Sequence, residues 1–330
     1  MFTPNILITN FCNQNCTFCF ASKEMGSKTL QREMSLPDFK KVLGKLKSNS
    51  SISVVKLLGG EPTLHSQFPE IINASLKHFS YVQIFTNGIF SDTLAQFLKE
   101  KLPKIGFTFN VMTPGFLFNY ETRKLVSERI LSFTHKTKVT LSFTFDMHSN
   151  MEIVFDAIKK NIISGVDSFR LGFSNPTAGE KNYYTFSDFP KVGKKLLYIV
   201  SRIREHNKNA KIHLNCGFTR CMFTNEEFDF LQKEHISITG FGCFGKDASF
   251  DLQTDLTAFH CFPLSQKDKL TTQRRSFSHV NNDLIKKRFT YWGNIIQSVC
   301  KTCPFYGIGK DKCPGPCIAF LMNKKTHCSN

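Results

Sequence analysis

The sequence predicts an α/β fold, a partial (β/α)6 barrel followed by a small loop-rich, cysteine-rich domain. Three observations carry this. Apolar strand-like runs alternate six times with helix-like runs up to about residue 206. Helical periodicity then fades, and nine of the chain's 12 cysteines follow. The residues suited to chemistry fall just after the C-terminal ends of the strands, where parallel α/β architectures place their sites.

Residues 5–9 make the first strand, which runs into a loop holding Cys12, Cys16 and Cys19. Ser35-Leu36-Pro37-Asp38 reads as a capping box with proline in the first turn. Phe39, Val42, Leu43 and Leu46 follow at helical spacing. Ile52–Leu58 is an apolar strand stopping at Gly59-Gly60. A helix near 67–78 precedes the strand Tyr81–Phe85, which stops at Thr86-Asn87-Gly88. Leu94, Phe97 and Leu98 mark the next helix, Ile105–Val111 a strand, 120–132 a helix and Val139–Phe145 a strand. Val154, Ala157, Ile158 and Ile162 line a helix closed by Gly165. Phe169–Phe173 is the sixth strand and 187–205 another helix. Buried-looking strands alternating with helices imply a parallel sheet. Six units fall short of a closed eight-unit barrel. An open, TIM-like partial barrel is therefore expected over residues 1–208, with the second domain over 209–330.

The 330 residues suffice for both parts, and 41% hydrophobic content is ordinary for a globular protein. No apolar run approaches the roughly 18–20 residues of a spanning helix, which argues against a membrane protein. The N-terminus has no basic n-region or cleavage site, so no signal peptide is expected. A cytoplasmic location follows, and 12 cysteines there point to metal rather than disulfides. The net charge of +17 admits nucleic acid, an acidic peptide or an anionic membrane. Scattered lysines such as Lys40, Lys41, Lys159 and Lys195 read as solvated helix faces. The segment from Lys267 to Arg288 is denser, with seven Lys or Arg. The 35 phenylalanines read as core filler.

Cys12, Cys16 and Cys19 supply three thiolates on one tight loop. A cube of four irons wants one ligand per iron. Three ligands leave one iron open to bind something else, so chemistry is expected there. Gly59 and Gly60 lack Cβ atoms and permit close backbone approach. Glu61 offers an acceptor to an ammonium group.

Cys-x3-Cys-x2-Cys, then Gly-Gly-Glu-Pro, then Thr-Asn-Gly, each after a strand, resemble the radical S-adenosylmethionine (radical SAM) superfamily over about residues 4–175. The resemblance implies that Cys12, Cys16 and Cys19 hold a [4Fe-4S] cluster. Its open iron would chelate the methionyl end of S-adenosylmethionine (SAM). One-electron reduction would then yield a 5′-deoxyadenosyl radical, with a flavodoxin or ferredoxin as electron donor. Phe18 would cover the adenine, Glu61 would take the ammonium, Asn110 would contact the ribose and Arg123 would pair with the carboxylate.

The remaining cysteines, Cys216, Cys221, Cys243, Cys261, Cys300, Cys303, Cys313, Cys317 and Cys328, are similar to the SPASM and twitch extensions of this superfamily. That implies one or two auxiliary [4Fe-4S] clusters. The spacing departs from the family in lacking a Gly before Cys261 and in the nine residues before Cys313. Zinc is the competing metal. His260 reads first as a surface or core histidine and second as a ligand, while Asp247, Asp251 and Asp255 read as turn residues. No catalytic acid or base is identifiable.

The leading functional expectation is hydrogen abstraction from a peptide or protein, giving an oxidised or cross-linked residue. The barrel begins at residue 5, leaving no room for a leader-binding domain, so a separate recognition protein or the 267–288 segment would read the peptide. The alternatives are dehydrogenation or epimerisation of a small molecule such as a sugar alcohol, RNA modification, and a non-enzymatic iron–sulfur carrier or scaffold.

Overall fold

A computed structural model describes residues 3–16, 19, 21, 22, 25, 32–48, 52–111, 120–176, 184–238, 249–265, 267–295, 298–307, 312, 313 and 315–320. Seven parallel strands follow one another across a single sheet: β1 (Asn5–Thr9), β2 (Val54–Gly59), β3 (Tyr81–Thr86), β4 (Ile105–Asn110), β5 (Val139–Phe145), β6 (Ser168–Phe173) and β7 (Lys211–Leu214). Helices alternate with them: α1 (Leu36–Lys47), α2 (Phe68–His78), α3 (Asp92–Lys99), α4 (Tyr120–Phe133), α5 (Met151–Ile163) and α6 (Phe189–His206). The strand order is linear, with β7 at one edge, so the barrel is open.

Local chemistry sets these elements. Ser35 Oγ accepts from Asp38 N at 3.2 Å and caps α1. Phe39, Val42, Leu43 and Leu46 of that helix are buried. Gly165 ends the α5 unit at φ +99°, where an L side chain is strained and a Cβ would run into the His135 ring.

The two faces of the sheet differ. Ile6, Ile8, Val55, Leu57, Val82, Ile84, Phe107, Phe109, Leu141, Phe143, Phe169 and Leu171 join the core under the helices. The alternate positions carry Asn5, Lys56, Gln83, Thr108, Ser142, Arg170 and His213. A parallel sheet covered on both faces reads as continuous apolar strands. Alternation here means that the inner face lines a polar lumen.

Beyond residue 208 the chain stays in the same sheet. β7 extends it beyond β6, and β8 (Asp251–Leu252) pairs parallel to β1 at the other side, followed by the antiparallel β9 (Thr257–Phe259) and β10 (Leu270–Thr271). This region, expected to be loop-rich, also holds α7 (Asn225–Lys233) and the 19-residue α8 (Phe277–Ile295). Phe277, Val280, Asn281, Leu284 and Arg288 form the buried stripe of α8. Its basic residues hide that period from a reading guided by charge.

The 267–288 segment is not one exposed basic face. Arg288 is fully buried, and Arg275 pairs with Asp283. Lys195, expected on a solvated face, is half-buried and donates to the carbonyls of Asp146 (2.8 Å), Met147 (3.1 Å) and Ser149 (2.9 Å). Among the described residues no helix is long and apolar enough to cross a membrane.

Candidate active site

Three strand ends meet through a closed set of hydrogen bonds. Gly60 N donates to Thr9 O at 2.8 Å and Glu61 N to Phe11 O at 2.7 Å, seating the β2 turn on the cysteine loop. A Cβ on Gly59 would stand 2.5 Å from Thr9 O, and one on Gly60 would run into Phe11 O. Both glycines are thus required by packing against the loop backbone, an approach the sequence suggested for a ligand.

Glu61 is 1% exposed. Its Oε1 accepts from Thr63 N (3.2 Å), Thr63 Oγ1 (2.7 Å) and Thr86 Oγ1 (2.8 Å), and its Oε2 accepts from Asn87 N (2.7 Å). Burial pushes its carboxyl up against these four lowering contacts. Each carboxylate oxygen offers about two acceptor sites, so Oε2, with one bond from Asn87 N, retains one for a ligand donor. Asn87 Nδ2 closes the set by donating to Asn13 Oδ1 at 2.7 Å, and Asn13 Nδ2 reaches Ile89 O at 3.0 Å. Gly88, at φ +83°, lets the β3 turn reverse.

The cysteine loop hangs on this frame. Cys19 N donates to Cys16 O at 3.0 Å. Burial, then the neighbouring Cys19 and Cys12 thiols, push Cys16 up to about 12. Burial also raises Cys12, with Glu61 adding to it. Such thiols stay protonated until a metal displaces the protons. Among the described residues no three His, Cys, Asp or Glu side chains converge on one ion. A cube instead takes each thiolate on a different iron.

Asn110 ends β4 exposed at the mouth, opposite Ser142. Arg123 on α4 lines a small cavity with Asn87, Val111 and Val126. Phe18 lies outside the described residues.

Comparison with known proteins agrees with this frame. Residues 6–138 match the radical SAM superfamily. The fold superposes on SuiB from Streptococcus suis, solved bound to SAM, with TM-score 0.70 over 98% of this chain and 75% of that one, at 17% identity. The chain carries a radical SAM domain over residues 6–138.

Among sequence relatives, this radical SAM enzyme is 26% identical to a probable GTP 3′,8-cyclase of Sulfolobus acidocaldarius over 64% of its own length and 69% of the cyclase. It is 39% identical to a 7,8-dihydro-6-hydroxymethylpterin dimethyltransferase of Methanocaldococcus jannaschii, over 26% of this chain and only 17% of that protein. The family implies SAM and a [4Fe-4S] cluster; the three-thiol loop fits the cluster, and the remaining acceptor site on Glu61 Oε2 fits the SAM ammonium.

The later cysteines of the enzyme fall into two groups. Burial raises Cys300 to about 11, with Cys221, Cys313 and Cys303 adding to it through space. Cys221 is raised by burial and by Cys313 and Cys303. These four thiols therefore lie within electrostatic reach of one another. Short backbone turns hold them: Cys303 N donates to Cys300 O (3.1 Å) and Cys313 N to Phe305 O (2.7 Å). Cys216 and Cys261 form a separate pair, where burial and then Cys216 push Cys261 well up. Cys317 is buried in the main core at 6% exposure. Cys243 and Cys328 lie outside the described residues.

Around that pair the structure revises one reading, that of Asp251. His260 Nδ1 lies 3.2 Å from Ser249 O and its Nε2 lies 2.8 Å from Arg288 Nη1. Both ring nitrogens are used, so His260 is a core histidine and not a ligand. Asp251 is no turn residue: it sits buried in β8, accepts from Asn5 Nδ2 at 2.6 Å, and burial pushes its carboxyl up to about 7. Asp255 does hold a turn, accepting from Thr257 N at 2.9 Å. Asp247 lies outside the described residues. Sequence reading missed Lys56 and Arg170, both in the lumen, although a lone cation in each apolar strand was the signal.

Proposed function

We propose that this radical SAM enzyme abstracts a hydrogen atom from a residue of a peptide or protein and drives its oxidation or cross-linking. The observation carrying this is the fold likeness across 98% of the chain, which takes in the cysteine-rich part, to a protein also solved with its precursor peptide SuiA. Cys12, Cys16 and Cys19 hold the cluster, Glu61 Oε2 receives the SAM ammonium, and Asn110, Arg123 and Phe18 serve the rest of the cofactor. Cluster and SAM, once bound and given one electron, supply methionine and a 5′-deoxyadenosyl radical. The chain's own part is to fix geometry: the Glu61 hydrogen bonds hold the loop and the β3 turn at one spacing, so the reacting centre stays over the lumen.

Residues 209–330 serve as an auxiliary part. Cys221, Cys300, Cys303 and Cys313 make one four-thiolate [4Fe-4S] site. Cys216 and Cys261, with Cys243, Cys317 and Cys328 to draw on, make a second. Either site can accept the electron that a substrate radical sheds as it becomes oxidised, and an outside flavodoxin or ferredoxin supplies the starting electron.

Sequence likeness to GTP 3′,8-cyclases favours a second reading, a small nucleotide substrate. Anaerobic reconstitution, SAM and dithionite test the core claim. 5′-Deoxyadenosine should form with the native chain and be absent in Cys16→Ala; a fully iron-loaded native chain making none overturns it. Substrate deuterium appearing in 5′-deoxyadenosine with a candidate peptide, and not with GTP, separates the two readings.

A further inference from the structure

The lumen contains two cations that the site described above does not use. Lys56 lies on β2, three residues before Gly59, which places its backbone about 10 Å below the strand-end turn. Arg170 lies on β6, in register with Ser142 and His213. Register puts both on the inner face with Asn5, Gln83 and Thr108. Each is partly accessible.

Among the described residues no carboxylate lies within ion-pair distance of Lys56 or Arg170. Arg170 rests over the Phe85 ring at 5.8 Å. Asp251, hydrogen-bonded to Asn5, is the carboxylate whose charge reaches both cations, and one carboxylate offsets at most one of the two positive charges. Burial lowers both cations' proton affinity and Arg170 lowers Lys56 further, while Asp251 acts in the opposite sense on both and Cys216 on Arg170. Holding two like charges in a partly desolvated lumen is costly unless a counter-charge arrives. A guanidinium grips two oxygens of one anionic group, and an ammonium adds a point charge.

We propose that Lys56 and Arg170 form an anion-receiving floor of the lumen, holding a phosphate or carboxylate group of the substrate while its reacting carbon lies at the strand ends. The inference rests on the radical SAM reading of the mouth above it. An acidic peptide side chain and a nucleotide phosphate share this chemistry.

The test uses the reconstituted holoenzyme with SAM present, titrated calorimetrically with tetraglutamate and, separately, GTP. At least one probe should bind, and Lys56→Met and Arg170→Gln should each weaken it tenfold or more. Lys56→Arg and Arg170→Lys, which keep the charge, should recover much of that loss and guard against misfolding. Tetraglutamate binding alone identifies a carboxylate source, and GTP binding alone a phosphate source. The proposal is overturned if neither probe binds at millimolar concentration, or if the substitutions leave binding intact. It is also overturned if they weaken SAM to the same degree, which assigns the cations to the cofactor, or if Arg170→Gln loses iron, which assigns the guanidinium to the Cys216 side. 5′-Deoxyadenosine formation by the native chain is read separately, so failure of the floor and failure of the radical reading are distinguishable.

Discussion

The strand-end frame and the cysteine-rich part both gather thiols, but they hold them differently. At the mouth, Cys12 to Cys19 hang on a network that needs no metal: two glycines pressed on the loop backbone, and Glu61 tied to Thr63, Thr86 and Asn87. Around Cys221, Cys300, Cys303 and Cys313 the local support is turn hydrogen bonds and one β-bridge between Tyr306 and Cys313. The first site is preorganised by the protein. If the second group holds the proposed cluster, the metal would fix its loops, as structural metal sites do.

That contrast can be broken by substitution. Replacing Cys16 with Ala should abolish 5′-deoxyadenosine formation, whereas Cys300→Ala should cost about four irons per chain and leave the strand-end hydrogen-bond frame folded. Iron analysis beside product assay reads both. Gly60→Val should destabilise the fold by about 3 kcal/mol, because the new side chain overpacks against backbone that cannot yield. Denaturant unfolding measures it, and a value below about 1 kcal/mol would mean that the turn is not seated on the loop.

Glu61→Gln turns one acceptor into a donor facing either Asn87 N–H or the three donors at Oε1. A loss of about 2 kcal/mol is expected, and an unchanged unfolding midpoint would refute the network. Stripping iron anaerobically should speed proteolysis beyond residue 209 more than within residues 5–111. Equal rates would erase the contrast. The smallest effect is expected for Asn13→Ala, about 0.5–1 kcal/mol, since that bond is partly exposed.

Much of this was legible in the sequence. The six strand–helix units appear where periodicity placed them, and the Ser35 cap and the Gly165 stop do the work their residue types suggest. Other features were not legible, for stated reasons. β8 and β10 are two residues long, too short for any periodicity, and β8 exists because β1 offers it a free edge. α8 was hidden because Arg288, which looks like surface charge, lies buried against His260. That no described carboxylate lies within ion-pair distance of Lys56 or Arg170 depends on what faces them across the lumen, which no local window contains.

By itself the sequence determined the alternation of strands and helices, the three-thiol loop and the glycine–glutamate turn, because those follow from residue type at short spacing. Only the tertiary structure decided that Glu61 joins two strand ends, that Cys221 comes within electrostatic reach of Cys300, Cys303 and Cys313, and that two cations share one lumen. Each of these joins residues far apart in the chain, and proximity of that kind is created only when the sheet curls and brings its inner faces together.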